Sequence, residues 1–397
     1  MIPRHWAHTL PIDWAELDRA FRTRDAGDPA LIAQWEAAVA EVAGTPQTVA
    51  VSSGRRGMTL ILKHLGVGAG DEVIVPAYTL ADLIPLIEAL GARAVPADID
   101  LETFNLSPEA VQRRIRPETK AVMALHAFGA PCAVDRILEI AQPAGIPVSE
   151  DCAHALGATL GGRPVGSFGH AAFFSFEPTK PVNTFGGGIV ASCDTGLLAA
   201  LREATASGGE VLHALQKKVK AVRMEQWMFK TGLIFPFLLA LTLPGVKEAA
   251  TAVYRRLQPP PQATGRYLPV QAAIGLRKIA GLQERIETRN RHAERLSALL
   301  QPYIRPQRIL ERAVSTYYFF VVLLPCPASP VRRRLLLRGI DAAVGHEIAD
   351  DCAALLGVTD CPNAAHVFRH AIALPMYEGL SEAELVRIAT ALNTAVG

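Results

Sequence analysis

A carboxylate and a lysine placed just beyond two neighbouring strands are the strongest chemical signal in this chain. From Ile146 to Ser192 it reads IPVSEDCAHALGATLGGRPVGSFGHAAFFSFEPTKPVNTFGGGIVAS. A short apolar strand, Ile146 to Val148, runs into Glu150 and Asp151, and a second, Ala171 to Phe176, runs into Thr179 and Lys180. The glycines Gly186 to Gly188 open a third. The 29-residue step from Asp151 to Lys180 leaves room for one connection and can bring both side chains to one rim of a sheet. Such a pair suits pyridoxal phosphate, which needs a lysine to form a Schiff base, a carboxylate to keep its ring nitrogen protonated, and donors for its phosphate. On spacing alone, a surface acid and a surface lysine read equally well.

The elements that must position this pair alternate strand and helix. Val49 to Val51 forms a strand, Ser52 to Gly54 a turn, and a helix begins near Arg56. Backbone N–H groups at such a turn can cradle a phosphate, with Ser53, Gly54 and Arg55 as candidates and Arg55 or Arg56 able to add charge; a plain turn or helix cap is the competing reading. Strands follow at Glu72 to Val75, Arg93 to Pro96 and Ala121 to His126, with helices near Ala81 to Leu90 and from Pro108. This alternation predicts a mostly parallel α/β sheet with ligands beyond the carboxyl ends of its strands. Tyr78, Thr79, Asp98, Asp100, His126 and Gly129 fall at or just past those ends.

Outside this region, residues 1 to 30 lack a clean period and read as an arm and a loop, whereas Leu31 to Ala43 has helical spacing. In the C-terminal third, one long helix is expected from Gln271 to Tyr303, then a buried strand in TYYFFVVLLP and a basic amphipathic helix in VRRRLLLRGI. Arg332, Arg333, Arg334 and Arg338 read as a solvated face, with contact to an anionic substrate as the alternative. Ser381 and Glu384 form a capping-box pattern for a closing helix.

The 397 residues are half hydrophobic and one fifth charged, with a net charge of +2, as expected for a globular chain of two domains and not for a nucleic-acid binder. Six scattered cysteines form no CxxC pair, so reduced thiols are expected; a metal site built on Cys152, His154 and a distant ligand is the weaker alternative, and no metal is assigned. The N-terminus has no apolar core of the kind a signal peptide needs, and a cytoplasmic location is expected.

In order along the chain, SSGRRGM at 52 to 58, GDEVIVPAYT at 70 to 79, DID at 98 to 100, HAFG at 126 to 129, PVSEDCAHALGA at 147 to 158, VGSFGHAAFFSFEPTK at 165 to 180 and GGGIV at 186 to 190 resemble the DegT/DnrJ/EryC1/StrS group of sugar aminotransferases. QAAIGLRKI at 271 to 279 and ALPMYEGLSEAEL at 373 to 385 continue the likeness. The resemblance implies the fold-type-I architecture of pyridoxal-phosphate-dependent transferases: a large cofactor-binding domain over 1–258, with an apolar insertion at about 208–262, and a small α+β domain over 259–397. It implies that Lys180 carries the cofactor as a Schiff base, that Asp151 pairs with the ring nitrogen, and that His154 lies near the ring. Ser175, Gly54 and Arg55 would meet the phosphate. Leu80 stands where the family usually has an aromatic residue against the ring, with Tyr78 able to take that contact over. Thr264 stands where a partner-subunit asparagine often reaches the phosphate. Arg266, Phe185 and His346 are implied as substrate contacts, with a structural histidine as the equal reading of His346.

The implied reaction moves an amino group from glutamate or glutamine to a keto group of a nucleotide-linked sugar, in a homodimer with shared sites. A lipid-linked, cyclitol or other hydrophobic keto substrate is the alternative, and a non-catalytic regulatory protein is a third. The insertion bears on this choice. An uncharged run of sixteen residues, Thr231 to Val246, contains Pro236 and Pro244 and is too short to span a bilayer. Lys217, Lys218, Lys220, Arg223, Arg255 and Arg256 flank it. It reads either as a helical pair buried in a dimer interface or, over 226–246, as a peripheral contact with the inner membrane surface.

Overall fold

A computed structural model describes residues 1–206, 212–240 and 265–397 of the chain. Its centre is a seven-stranded sheet: β1 (Gln47–Val51), β2 (Glu72–Pro76), β3 (Arg93–Ala97), β4 (Thr119–Leu125), β5 (Val148–Asp151), β6 (Ala171–Ser175) and β7 (Gly188–Ser192), in the spatial order β1-β7-β6-β5-β4-β2-β3. All neighbours are parallel except β7, which runs antiparallel to both β1 and β6. β5 reads VSED and is buried throughout, as a central parallel strand requires. It extends to Asp151, three residues beyond the apolar stretch that marks it in the sequence. The carboxylate therefore belongs to the strand end itself and is not on a loop after it.

Inversion of β7 brings the ends that matter together. Val51 pairs with Gly188 and Gly188 with Ser175, so the exit of β1, the exit of β6 and the entry of β7 meet in one place. A Cβ on Gly188 would lie 2.6 Å from the Gly54 nitrogen and 2.7 Å from the Phe174 oxygen. Only glycine permits that approach of backbones.

A second, antiparallel sheet of four short strands, in the order Arg305–Pro306, Phe320–Leu323, Ala371–Leu374 and Ala343–Val344, carries the C-terminal third. Helices Leu282–Leu299, Ala328–Leu337 and Glu382–Val396 bury Leu296, Val331, Leu335, Ile388 and Leu392 in a core of its own. Two two-residue strands tie this part to the mouth of the large sheet, Tyr78–Thr79 pairing with Asp350–Asp351.

Three local expectations are corrected. The stretch expected as an arm contains a helix, Pro11–Thr23, started by Pro11 at its first turn and by Asp13, whose Oδ2 accepts the Leu10 N–H at 3.0 Å. Asp13 is fully buried and pairs with Arg277 at 2.9 Å and Lys278 at 3.4 Å, so tertiary charge pairing secures a helix whose apolar period is weak. The single long helix is two, Pro269–Ile279 and Leu282–Leu299, because Gly281 leaves helical geometry between them. The arginine face is not wholly solvated: Arg332 is buried, donates to the Ala342 carbonyl at 3.0 Å and pairs with Glu347 at 3.0 Å.

Candidate active site

A cavity of about 210 Å³ opens at the carboxyl edge of the large sheet. Its wall includes Ser53, Gly54, Arg55, Tyr78, Leu80, Asp151, His154, Ser175 and Lys180, each expected near the cofactor from the sequence. The remaining cofactor candidate, Thr264, lies outside the described residues.

Asp151 ends β5 between Leu125 of β4 and Phe173 of β6. Burial raises its pKa from the ordinary 3.8 to about 6, opposed by the Ala153 N–H donated to Oδ1 at 3.0 Å and by the charges of Lys180 and His126. A carboxylate so starved of solvent gains strongly from a cation in the cavity beside it.

His154 lies in aromatic company. Its imidazole stacks on Tyr318 with centroids 4.3 Å apart and parallels Phe128 at 6.3 Å, and Phe319 and Tyr78 extend the group through Phe128. Burial, then the Lys180 charge, hold its pKa well below the usual range, so the ring is neutral. Nδ1 accepts the Phe128 N–H at 3.3 Å, which assigns the remaining proton to Nε2. The turn that aims this N–H is sharp, with Phe128 at φ 60 and Gly129 at φ 92. A Cβ on Gly129 would collide with Thr316 Oγ1, the hydroxyl that donates to the His154 carbonyl at 2.7 Å. Gly129→Ala should therefore cost about 3 kcal/mol, combining left-handed strain with overpacking, and should lower the urea midpoint accordingly.

Lys180 follows β6 in a tight turn, its backbone N–H donating to the Glu177 carbonyl at 2.9 Å. Its Nζ lies 4.1 Å from the centre of the Tyr318 ring, and the Tyr318 hydroxyl is 2.9 Å from Thr179 Oγ1. Tyr318 thus contacts both His154 and the lysine. The sequence places it in a buried strand and assigns it no role, because two adjacent tyrosines 138 residues from Lys180 carry no local sign of where they fold back. Glu177, equally unmarked in the sequence, lines the cavity and pairs with Lys218 at 2.6 Å.

The helix Gly54–His64 brings its N-terminus to the same cavity wall, capped by Ser53, whose Oγ accepts the Arg56 N–H at 3.1 Å. Gly54, Ser175 and Arg55 complete this end, with Arg55 also 3.4 Å from Asp82. The three candidate substrate contacts lie elsewhere. Phe185 is fully buried against Trp14 and Lys278, turned inward by a φ of 60. His346 is hydrogen-bonded to Asp350 and packs edge-on to Phe368, next to the cavity-lining Ile348 and Ala349. Arg266 is exposed and outside the cavity wall. Cys152 and His154 do not share a site: buried Cys152 lies with His126 and Glu150, where Glu150 accepts backbone N–H groups from Gly166, Phe168 and Gly169.

These residues fit pyridoxal phosphate. A helix N-terminus and the Ser53 and Ser175 hydroxyls suit an anion, the buried Asp151 suits a protonated ring nitrogen, and Lys180 supplies the amine. The Tyr78 hydroxyl, buried and without a hydrogen-bond partner, is a further donor at the cavity wall.

Comparison with known proteins agrees with this fold. The aminotransferase TlmJ from Streptoalloteichus hindustanus is 25% identical, with a TM-score of 0.78 over 100% of this chain and 98% of that one. A DegT DnrJ EryC1 StrS aminotransferase from Brucella abortus is 22% identical, with a TM-score of 0.75 over 97% and 95% of the two chains. DesI, solved in the presence of its TDP-sugar product, is 24% identical, with a TM-score of 0.75 over 100% and 92%. A model of the DegT/DnrJ/EryC1/StrS aminotransferase family matches residues 27–393. With nearly its whole length matched, and with the lysine, the carboxylate and the anion cradle in one cavity, the chain belongs to this family and is a pyridoxal-phosphate-dependent aminotransferase of fold type I.

Proposed function

We propose that the enzyme moves an amino group from glutamate or glutamine to a keto group of a nucleotide-linked sugar, with Lys180 and Asp151 as its catalytic pair. The observation that carries this reading is their placement in one cavity together with the helix N-terminus and the serines Ser53 and Ser175. When bound, pyridoxal phosphate supplies an electron sink that makes the donor's Cα–H acidic. Lys180, once free of the cofactor, takes that proton as a base and returns it as an acid. Asp151 keeps the ring nitrogen positive, and the neutral His154, held by Tyr318 and the Phe128 N–H, restricts how a ring can sit beside it. Ser53, Gly54 and Ser175 hold the phosphate end.

The nucleotide-sugar acceptor is supported by family membership and by the likeness to DesI, whose own product is a TDP-sugar. The test is to supply glutamate and a panel of nucleotide-linked keto sugars, and to follow 2-oxoglutarate together with an aminated sugar by mass spectrometry. Formation of 2-oxoglutarate without amination of any such sugar, but with amination of a lipid-linked or cyclitol ketone, would transfer the proposal to the hydrophobic acceptor. Leu80, 41% exposed at the cavity wall, is the observation that favours that second reading. We also infer a homodimer with shared sites; a monomer in solution with full activity would contradict it.

A further inference from the structure

We propose that the helix Leu212–Thr231 docks the enzyme on an anionic lipid bilayer, an inference that goes beyond the reaction assigned above. The helix buries Leu215, Val219 and Val222 against a cluster containing Leu17, Ala20, Phe185 and Leu268. Its opposite face is a continuous exposed stripe at steps of four and three: His213, Lys217, Lys220, Met224, Trp227 and Thr231. The stripe starts basic, with Lys217 and Lys220, and then turns apolar at Met224 and Trp227, with Lys230 and Thr231 at its end. Met224 is 56% exposed and Trp227 52%. Leu233, 50% exposed, extends the apolar half towards the short helix Ile234–Ala240, which reads IFPFLLA. Among the described residues, no helix is long and apolar enough to cross a membrane.

Charge decides between occupants. Of the acids near this helix, Glu177 pairs with its Lys218 at 2.6 Å and Asp18 with its Arg223 at 2.9 Å, while Glu225 on the helix itself lies 3.5 Å from His5, whose pKa burial and the Arg4 charge lower to about 3, so that this neutral histidine does not offset it. Lys217, Lys220 and the exposed Lys230 have no acid within ion-pair distance among the described residues. A second copy meeting this stripe about a two-fold axis would bury those lysines without an acid to face them, against either each other or the partner's apolar half, and interface centres are depleted in lysine. An anionic bilayer satisfies both halves: lysines meet headgroups, while the tryptophan, methionine and leucine enter the boundary with the acyl chains. Lys218 on this helix reaches Glu177 in the cavity wall, so docking here would hold the active site beside the lipid surface.

The test is flotation of the full-length holoenzyme with phosphatidylglycerol–phosphatidylcholine vesicles and with phosphatidylcholine vesicles alone. Co-flotation with the anionic vesicles only, weakened by salt, is expected. Lys217→Glu, Lys220→Glu and Lys230→Glu combined should lower partitioning at least about 100-fold, and Met224→Ala with Trp227→Ala at least about 10-fold. The donor half-reaction with soluble glutamate should be unchanged in both variants, which confirms that they fold. Failure of the wild-type enzyme to float with anionic vesicles would overturn the proposal. So would flotation that survives both sets of substitutions. Conversion of a dimer to a monomer by Met224→Glu with Trp227→Glu would overturn it in favour of a second copy on this face.

Discussion

Lys180→Ala is expected to reduce transamination by a factor of about 10² to 10⁴, the range for losing a positioned acid–base group. Its Nζ lies against the Tyr318 ring in the same cavity as Asp151, and among the described residues no other lysine lines that wall. The visible absorbance of the lysine-bound cofactor should disappear while the variant still folds, because the cation–π attraction between Lys180 and Tyr318 is worth only about 0.5–1 kcal/mol. Partial recovery with added methylamine would identify the missing group as an amine. Activity within about 10-fold of wild type would remove Lys180 from the chemistry.

Asp151→Asn keeps the side-chain shape and removes its charge. An expected loss of about 10² to 10³ in kcat follows if a preorganised charge has been removed from a water-poor site. A second readout separates this from a structural effect. The carboxyl pKa is raised from 3.8 to about 6, so the folded chain holds its proton more tightly than the unfolded chain does. In the cofactor-free protein this contribution is present in full below the unfolded value and is lost as pH rises through about 6, amounting to about 3 kcal/mol. Thermal melts of the cofactor-free enzyme across that pH range should show the decline. Asp151→Asn should abolish it, and the loaded enzyme, with a cationic ring nitrogen facing the carboxylate, should resist it. A flat profile in the cofactor-free wild type would mean that Asp151 is better solvated than its buried position at the end of β5 requires.

Much of the site is legible in the sequence because its parts are local. Strand ends, glycine turns and the step from Asp151 to Lys180 are written in consecutive residues, and parallel sheets place ligands beyond carboxyl ends. Similarity to a known family then joins those parts in order along the chain. Less legible are the contacts closed over long separations. Tyr318 shares the site with His154 and Lys180 only because the second sheet returns to the cavity mouth, and nothing in TYYFFVVLLP marks which ring will face it. Phe185, a candidate contact implied by the family resemblance, turns into the core instead, next to Trp14 and Lys278.

The sequence by itself determined the alternation of strand and helix, the glycines that allow close backbones, and the residue types able to bind the cofactor, since these follow from local sterics and apolar period. Tertiary structure alone decided that Asp151 is desolvated enough to want a cation, that His154 is neutral and clamped, and that Pro11–Thr23 is a helix held by buried ion pairs. It also decided which face of Leu212–Thr231 is left to solvent. Burial and long-range pairing set solvation and charge, and neither is a property of any short stretch of chain.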